Sequence, residues 1–474
     1  MSVYPLTVLI GRNGELSELR SCWVRAVAGD PQLAVLYGRR RVGKTFLCFH
    51  LLEEVRSTGQ HSVYFNATQE REQVQLRRFA DAIRRDLGPD VAPFMTGTLA
   101  TWEHAFESLF ALAARSPLCL VIDEVSFLTA STPGFASIVQ AVWDRHTARP
   151  ASAPLMLILT GSAVGLVSRL IDAGGALFRR PTWQRRLDPL SLSEATGFFP
   201  EETGPETVVE AYAACGGTPL YLSSWDPSAP TPSNLLRLAG TPGGVLLEDA
   251  PTIVRDEVGG ELGYARVLAA IGLGRTRRSD IANGVGQRID VPLEVLQRSG
   301  LIRRATPLLA PRKVVPFYEL TDPYLRFWYA VLYRDAELIQ GGQGRAVLQR
   351  VDPAWEHHVA WVFEEAARAH AVAQVGRDLP DDLVIGRWWD SKGQEEIDVL
   401  GVRGSTTELV GEARWSRRPV DPRDVGTLMR KAGRTHHLAE DPFLAVWSRS
   451  GATDAVSEAG VTVFGPADVV GREA

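Results

Sequence analysis

Short, unbroken apolar runs recur through the first part of the chain, each followed by a longer stretch with helical spacing. Leu33-Ala34-Val35-Leu36-Tyr37, Val63-Tyr64-Phe65-Asn66, Leu118-Cys119-Leu120-Val121-Ile122 and Leu155-Met156-Leu157-Ile158-Leu159 do not alternate with polar residues. That is the pattern of strands covered on both faces of a parallel sheet. With Arg186-Leu187-Asp188-Pro189-Leu190 as a fifth strand and helices between, it predicts an α/β doubly wound sheet over residues 1–204. The pattern then changes. Residues 205–260 read as a helical lid, interrupted by the Pro- and Ser-rich stretch Trp225 to Ser233. Residues 261–335 read as a winged helix-turn-helix: helix Tyr264–Ile271, a second helix capped by Ser279, a third over Pro292–Arg298 ended by Gly300, and Leu301–Arg304 paired with Phe317–Leu320. Residues 350–474 start on a helix with Val359, Val362, Phe363 and Ala366 on its apolar face, and continue as a small α/β domain.

Candidate chemistry is densest where the first apolar run ends. Gly38-Arg39-Arg40-Arg41-Val42-Gly43-Lys44-Thr45 fits G-x-x-x-x-G-K-[ST], and Phe46 opens the helix behind it. A strand entering such a turn and a helix leaving it expose successive backbone N–H groups to an anion. The stretch Gly38 to Phe46 is therefore expected to wrap the phosphates of a nucleoside triphosphate, with Lys44 at the β/γ-phosphates and the Thr45 hydroxyl on Mg²⁺. Lys44 is one of four lysines in the chain. Asp123 ends the third run and would hold the same cation; Glu124 beside it is placed to polarise the attacking water. Thr160 and Ser162 end the fourth run, where a small hydroxyl either senses the γ-phosphate or caps the next helix.

These segments resemble the archaeal-type ATPases, a branch of the AAA/STAND P-loop ATPases. The likeness is carried by Ile10-Gly11-Arg12 with Glu15-Leu16, by Tyr37 to Thr45, by Ile122-Asp123-Glu124, by Leu159-Thr160-Gly161-Ser162, and by Gly216-Gly217-Thr218-Pro219-Leu220-Tyr221-Leu222. Leu320 to Trp328 matches as well, its aromatics reading as core. The resemblance implies ATP rather than GTP. It also implies that Arg12 lies near the base or sugar, and that Arg179 or Arg180 serves as a sensor or finger arginine, although the glycine expected before that arginine is missing.

The tail holds a second constellation. Phe363-Glu364-Glu365, Gly386-Arg387-Trp388-Trp389-Asp390, Glu395-Glu396-Ile397-Asp398 and Val410-Gly411-Glu412-Ala413-Arg414 resemble the PD-(D/E)XK nuclease arrangement. Strand periodicity puts Glu412 and Arg414 on one face, and Asp398 beside Glu412 completes a candidate divalent-metal pair. The motif's lysine is replaced by Arg414, which keeps the charge but not the geometry or the titratable proton. Cleavage and a degenerate domain that binds DNA or protein both stay open.

Composition narrows the rest. Net charge is −5, yet ten basic residues between Arg266 and Lys313 face only Asp280, Asp290 and Glu294. That local excess suits a nucleic-acid backbone, though such modules also contact proteins or their own copies. Cys22, Cys48, Cys119 and Cys215 lie far apart without C-x-x-C spacing, which argues against a zinc site or a disulfide framework. No apolar run is long enough to span a bilayer and no signal peptide is evident, so a cytoplasmic setting is expected. Three functions follow as expectations: an ATPase moving its winged-helix and nuclease-like domains, a slow STAND-type nucleotide switch, or an ATP-gated nuclease.

Overall fold

Five strands form the sheet of the first part: β1 (Gln32–Tyr37), β2 (His61–Asn66), β3 (Leu118–Asp123), β4 (Leu155–Gly161) and β5 (Trp183–Arg186). All neighbouring pairs are parallel, in the order β2-β3-β4-β1-β5. The computed structural model describes residues 8–88, 99–148, 153–260, 262–309, 314–435 and 437–471, and the chain divides into units 1–188 and 189–474.

In the first unit the helices are α1 (Asn13–Val27), α2 (Lys44–Ser57), α3 (Glu72–Leu87), α4 (Trp102–Ala113), α5 (Val125–Ser131), α6 (Phe135–Thr147) and α7 (Val164–Ile171). The continuous apolar runs are explained by two cores. Leu33, Val35, Leu120, Ile122, Leu157 and Leu159 face α3, α4 and α6, whereas Ala34, Leu36, Cys119, Val121, Met156 and Ile158 face α1 and α2. Successive side chains point to opposite faces, so each strand must be apolar throughout. This period also decides which polar residues reach the α2 side: Tyr64, Asp123 and Thr160 share parity with that second set.

The fifth strand lies earlier than the sequence suggests. It is Trp183–Arg186, a half-exposed edge strand paired with β1 alone. Leu187 and Leu190 gave the apolar signal but follow it: Leu187 donates its N–H to Tyr37 O at 2.6 Å. An edge strand with one protected face needs little hydrophobicity, so its sequence signal is weak.

The second unit starts with helices, the larger being Pro205–Cys215, Thr231–Leu238 and Val245–Val258. Helices Leu262–Gly272, Arg278–Val285 and Asp290–Arg298 follow, and β6 (Ile302–Ala305) pairs antiparallel with β7 (Phe317–Leu320). Ser279 sits inside its helix rather than at the cap, which is Arg277. Tyr324, Phe327 and Trp328 are buried. The 23-residue helix Asp352–Gln374 leads to a second sheet of β8 (Val384–Trp389), β9 (Glu396–Arg403), β10 (Thr406–Arg414), β11 (Leu438–Ser448) and β12 (Thr462–Phe464), in the order β12-β11-β10-β9-β8. That helix covers one face of the sheet, through Val399, Leu409, Ala445 and Trp447; the helix Pro422–Ala432 covers the other, through Leu428 and Ala432.

The edge strand β8 is capped by the β6–β7 ribbon. Leu308 donates its N–H to Arg387 O at 2.8 Å, Trp389 Nε1 donates to Val315 O at 3.2 Å, and Phe317 stacks on Trp389 with centroids 4.6 Å apart. Covering an open edge in this way blocks edge-to-edge association. Among the described residues no single helix is long and apolar enough to cross a membrane.

Candidate functional site

The turn between β1 and α2 is shaped for an anion. Gly38, Arg41 and Gly43 have φ of 153°, 69° and 98°, so the chain leaves right-handed space three times within six residues. Alternating backbone hand turns neighbouring amides toward one side. Gly38 has a second reason to be glycine: a Cβ there would lie 2.2 Å from Leu187 O. Lys44 is 5% exposed, and its ammonium donates to Gly38 O at 2.8 Å and Arg39 O at 2.7 Å, folding the lysine back across the loop it serves. Arg39 and Val42 are buried, whereas Arg40 and Arg41 are exposed. Phe46, in the first turn of α2, leans on His50 with ring centroids 4.6 Å apart.

Arg12 braces the loop from below. Its guanidinium donates to Val42 O at 3.2 Å, to Asp188 O at 2.5 Å and to Glu15 at 3.2 Å. The buried Arg12 thus ties α1, the phosphate loop and the end of the first unit together.

The acidic strand end meets the loop. Asp123 Oδ2 accepts from Thr45 Oγ1 at 2.7 Å and from Tyr64 Oη at 2.7 Å, while Oδ1 accepts from Glu124 N at 2.9 Å. Burial, followed by the Asp123 charge, pushes the Tyr64 phenol far above its ordinary value. Tyr64 belongs to no motif and was missed in the sequence; only its parity with Asp123 on the neighbouring strand could have revealed it. Glu124 takes a left-handed φ of 55°, a conformation that costs on the order of 1 kcal/mol or more for a non-glycine residue. The turn swings its carboxylate onto Ser162, whose Oγ lies 2.7 and 2.9 Å from the two oxygens and whose N–H lies 3.3 Å from one of them. Thr160 is fully buried, and its hydroxyl has no hydrogen-bond partner among the described residues.

Arg179 and Arg180 are placed elsewhere. They precede β5, whereas the phosphate loop follows β1, and the two strands run parallel with Ala34 beside Trp183. The arginines therefore stand at the opposite end of the sheet from Lys44. Arg180 forks onto Asp144 with contacts of 2.8 to 3.2 Å; Arg179 has φ 60° and sits over Phe178. Both line a cavity of about 410 Å³ with Trp143, Asp144 and Thr182.

In the second unit the tail carboxylates gather around a lysine. Asp398 Oδ2 accepts from Ala413 N at 2.9 Å, and Lys431 Nζ, from the helix Pro422–Ala432, donates to Glu412 at 3.2 and 3.4 Å. Arg414 ion-pairs with Asp424 at 2.6 Å, and the cation hydrogen-bonded to the Glu412 carboxylate is Lys431. Burial and the Asp398 charge raise Glu364 to about 8. Burial also raises Asp398 and, together with the Asp398 charge, Glu412; Lys431 opposes the shift at both. Glu365 goes the other way. Burial works against its charge, but Arg368 and Arg303 hold it down to about 2. Arg368 also donates to Asp398 O at 2.8 Å, linking the ribbon arginine Arg303 to the carboxylate group through Glu365.

The basic stretch is partly consumed by structure. Arg278 pairs with Asp290, Arg298 with Glu294, and Arg303 with Glu319 and Glu365, while Arg277 reaches Lys392 O. Arg266, Arg275, Arg288 and Arg304 are exposed; Arg312 and Lys313 lie outside the described residues.

A cation at the first site fits the residues present. Mg²⁺ is usually bound by one or two carboxylates with waters and substrate phosphates rather than by a protein cage. The Thr45–Asp123 pair supplies such a half-site, and among the described residues no group of three or more His, Cys, Asp or Glu is arranged to hold a metal alone.

Two family models match parts of the chain. Residues 9–224 match the model of an ATPase domain found predominantly in Archaea, and residues 328–425 match a model described as archaeal and bacterial proteins of unknown function. An uncharacterized protein of Methanocaldococcus jannaschii is 24% identical over 434 residues, covering 89% of this chain and 91% of that one. The Walker-type ATPase of Pyrococcus abyssi is similar in fold, with a TM-score of 0.50 and 19% identity over 68% of this chain and 96% of its own. The ORC2 protein of Aeropyrum pernix, solved as ADPNP and ADP complexes, gives a TM-score of 0.44 and 15% identity over 74% of this chain and 97% of its own. Over residues 9–224 the chain is thus similar to the ATPase domains of archaeal type.

Proposed function

We propose that this protein binds and hydrolyses ATP in a Mg²⁺-dependent reaction and uses the cycle to rearrange its winged-helix and C-terminal domains. The observation that carries the reading is the meeting of Lys44, Thr45, Asp123 and Glu124 at one end of one sheet. Amides from Gly38 to Phe46 receive the phosphates, and Lys44 exchanges its two carbonyl partners for phosphate oxygens. Thr45 and Asp123 would hold Mg²⁺, which would supply charge neutralisation on the transferred group. Glu124 orients a water in line with the γ-phosphorus; the water oxygen bonds to phosphorus as the bond to the β-phosphate oxygen breaks, and Glu124 receives the water proton. Ser162 holds Glu124 through both oxygens, so a γ-phosphate that draws off the Ser162 hydroxyl would release the carboxylate to the water.

Phosphate release from ATP tests the reading. Turnover is expected in MgCl₂ and should stop on chelation; turnover indifferent to EDTA contradicts it. Duplex DNA is the partner to add, because Arg266, Arg275, Arg288 and Arg304 remain exposed. Stimulation identifies a machine acting on DNA, and very slow hydrolysis with retained nucleotide identifies a switch.

Lys431 favours a second reading. Asp398 and Glu412 with an ammonium at 3.2 Å resemble a metal-dependent phosphodiesterase site of nuclease type. Plasmid incubated with Mn²⁺ or Mg²⁺ should then be nicked, with loss in Asp398→Ala and a fall of about 10²-fold or more in Lys431→Ala. An intact plasmid, or nicking that survives Asp398→Ala, rules this reading out.

A further inference from the structure

The carboxylate that ends β3 is gripped by one group that no motif contains. Asp123 Oδ2 takes two hydroxyl donors, Thr45 Oγ1 and Tyr64 Oη, each at 2.7 Å, and Oδ1 takes the Glu124 amide at 2.9 Å. A carboxylate oxygen offers two in-plane lone pairs, so both positions on Oδ2 are filled. The Thr45 oxygen keeps a lone pair for a cation while its hydroxyl donates to Asp123, and Oδ1, which takes the Glu124 amide, has a second position of its own. Where that Oδ1 position points depends on how the carboxylate is turned, and Tyr64 holds it from the Oδ2 side.

We propose that Tyr64 is a positioning residue for the metal-holding carboxylate: its phenol O–H fixes the orientation of Asp123 so that the open Oδ1 lone pair faces the Mg²⁺ position beside Thr45. The inference rests on the ATP-binding reading above and adds a residue to it. Two further observations support it. The Tyr64 ring is itself held, leaning on Phe49 of α2 with centroids 4.4 Å apart. Its backbone is fastened on both sides, its N–H donating to Asp86 at 3.0 Å and its carbonyl accepting from Arg85 at 3.0 Å. Partners that orient a metal's ligands without touching the metal commonly matter for affinity as much as a weak ligand does.

Tyr64→Phe keeps the ring and removes only the donor. ATP binding measured by calorimetry in EDTA should stay within about twofold of wild type, because the phosphate loop is untouched. The MgCl₂ concentration that gives half of the Mg²⁺-dependent gain in affinity should rise roughly tenfold. A midpoint that is unchanged or lower overturns the proposal. If Tyr64→Phe does not fold, as judged by thermal melting, Phe49→Leu provides the same test by loosening the ring without touching the carboxylate: its Mg²⁺ midpoint must rise, and an unmoved midpoint overturns the proposal equally. Wild type decides the underlying reading separately. If its ATP binding ignores Mg²⁺, the ATPase assignment fails; if it responds while Tyr64→Phe matches it, only the role of Tyr64 fails.

Discussion

Lys44→Ala is expected to abolish detectable ATP turnover while leaving the fold of residues 8–188 intact. The lysine's ammonium is buried beside the loop and donates to the carbonyls of Gly38 and Arg39. In the proposed mechanism it exchanges those two bonds for phosphate oxygens. Removing a buried, hydrogen-bonded charge opposite an anion costs about 3–5 kcal/mol, which is roughly 10²- to 10⁴-fold in affinity or rate. The mutant should therefore lose triphosphate binding in calorimetry together with phosphate release. The apolar core on that side of the sheet, with Leu36, Val121 and Ile158, keeps all of its own residues. Circular dichroism should show wild-type helix and strand content. Wild-type turnover in Lys44→Ala would remove the loop from the chemistry.

Glu124→Gln should separate binding from hydrolysis. Glutamine preserves the size and one carbonyl oxygen, so the Ser162 contact has an isosteric acceptor and Asp123 still receives the Glu124 backbone N–H. What is lost is the negative charge that, in the proposed mechanism, takes the proton from water, and positioned bases are worth about 10²–10⁴ in rate. ATP affinity should stay within roughly threefold of wild type while turnover falls by at least about 10². The strained φ of 55° at this position is retained in the mutant, because it belongs to the turn and not to the charge. Unchanged turnover in Glu124→Gln would take the residue out of the mechanism.

Much of the first unit was legible because the period of its strands is unusually clear. Four of the five strands announce themselves as continuous apolar runs, which only a two-faced buried sheet requires. The fifth did not, since Trp183–Arg186 is an edge with half its side chains in water and the stronger apolar signal comes from the loop behind it. The structure brings Lys44, Thr45, Asp123 and Glu124 to one end of the sheet, an arrangement already legible because the motif follows one strand and the acidic pair ends another. Tyr64 was not legible: its side chain reaches Asp123 across a strand pair, and nothing local distinguishes it from a packing tyrosine. Lys431 was hidden for a similar reason, lying 19 residues beyond the Glu412 that it meets, on a helix instead of the strand. The placement of Arg179 and Arg180 away from the phosphate loop depends on parallel strand direction and on where β5 begins, neither of which the local Arg-Arg pair encodes.

Calorimetric titration of ATP into the wild-type protein, in MgCl₂ and again in excess EDTA, bears most directly on the phosphate loop and its metal half-site. One saturable site is expected in MgCl₂, with a clear loss of affinity once the metal is chelated. No measurable binding in saturating MgCl₂, or binding equally tight in EDTA, would contradict it.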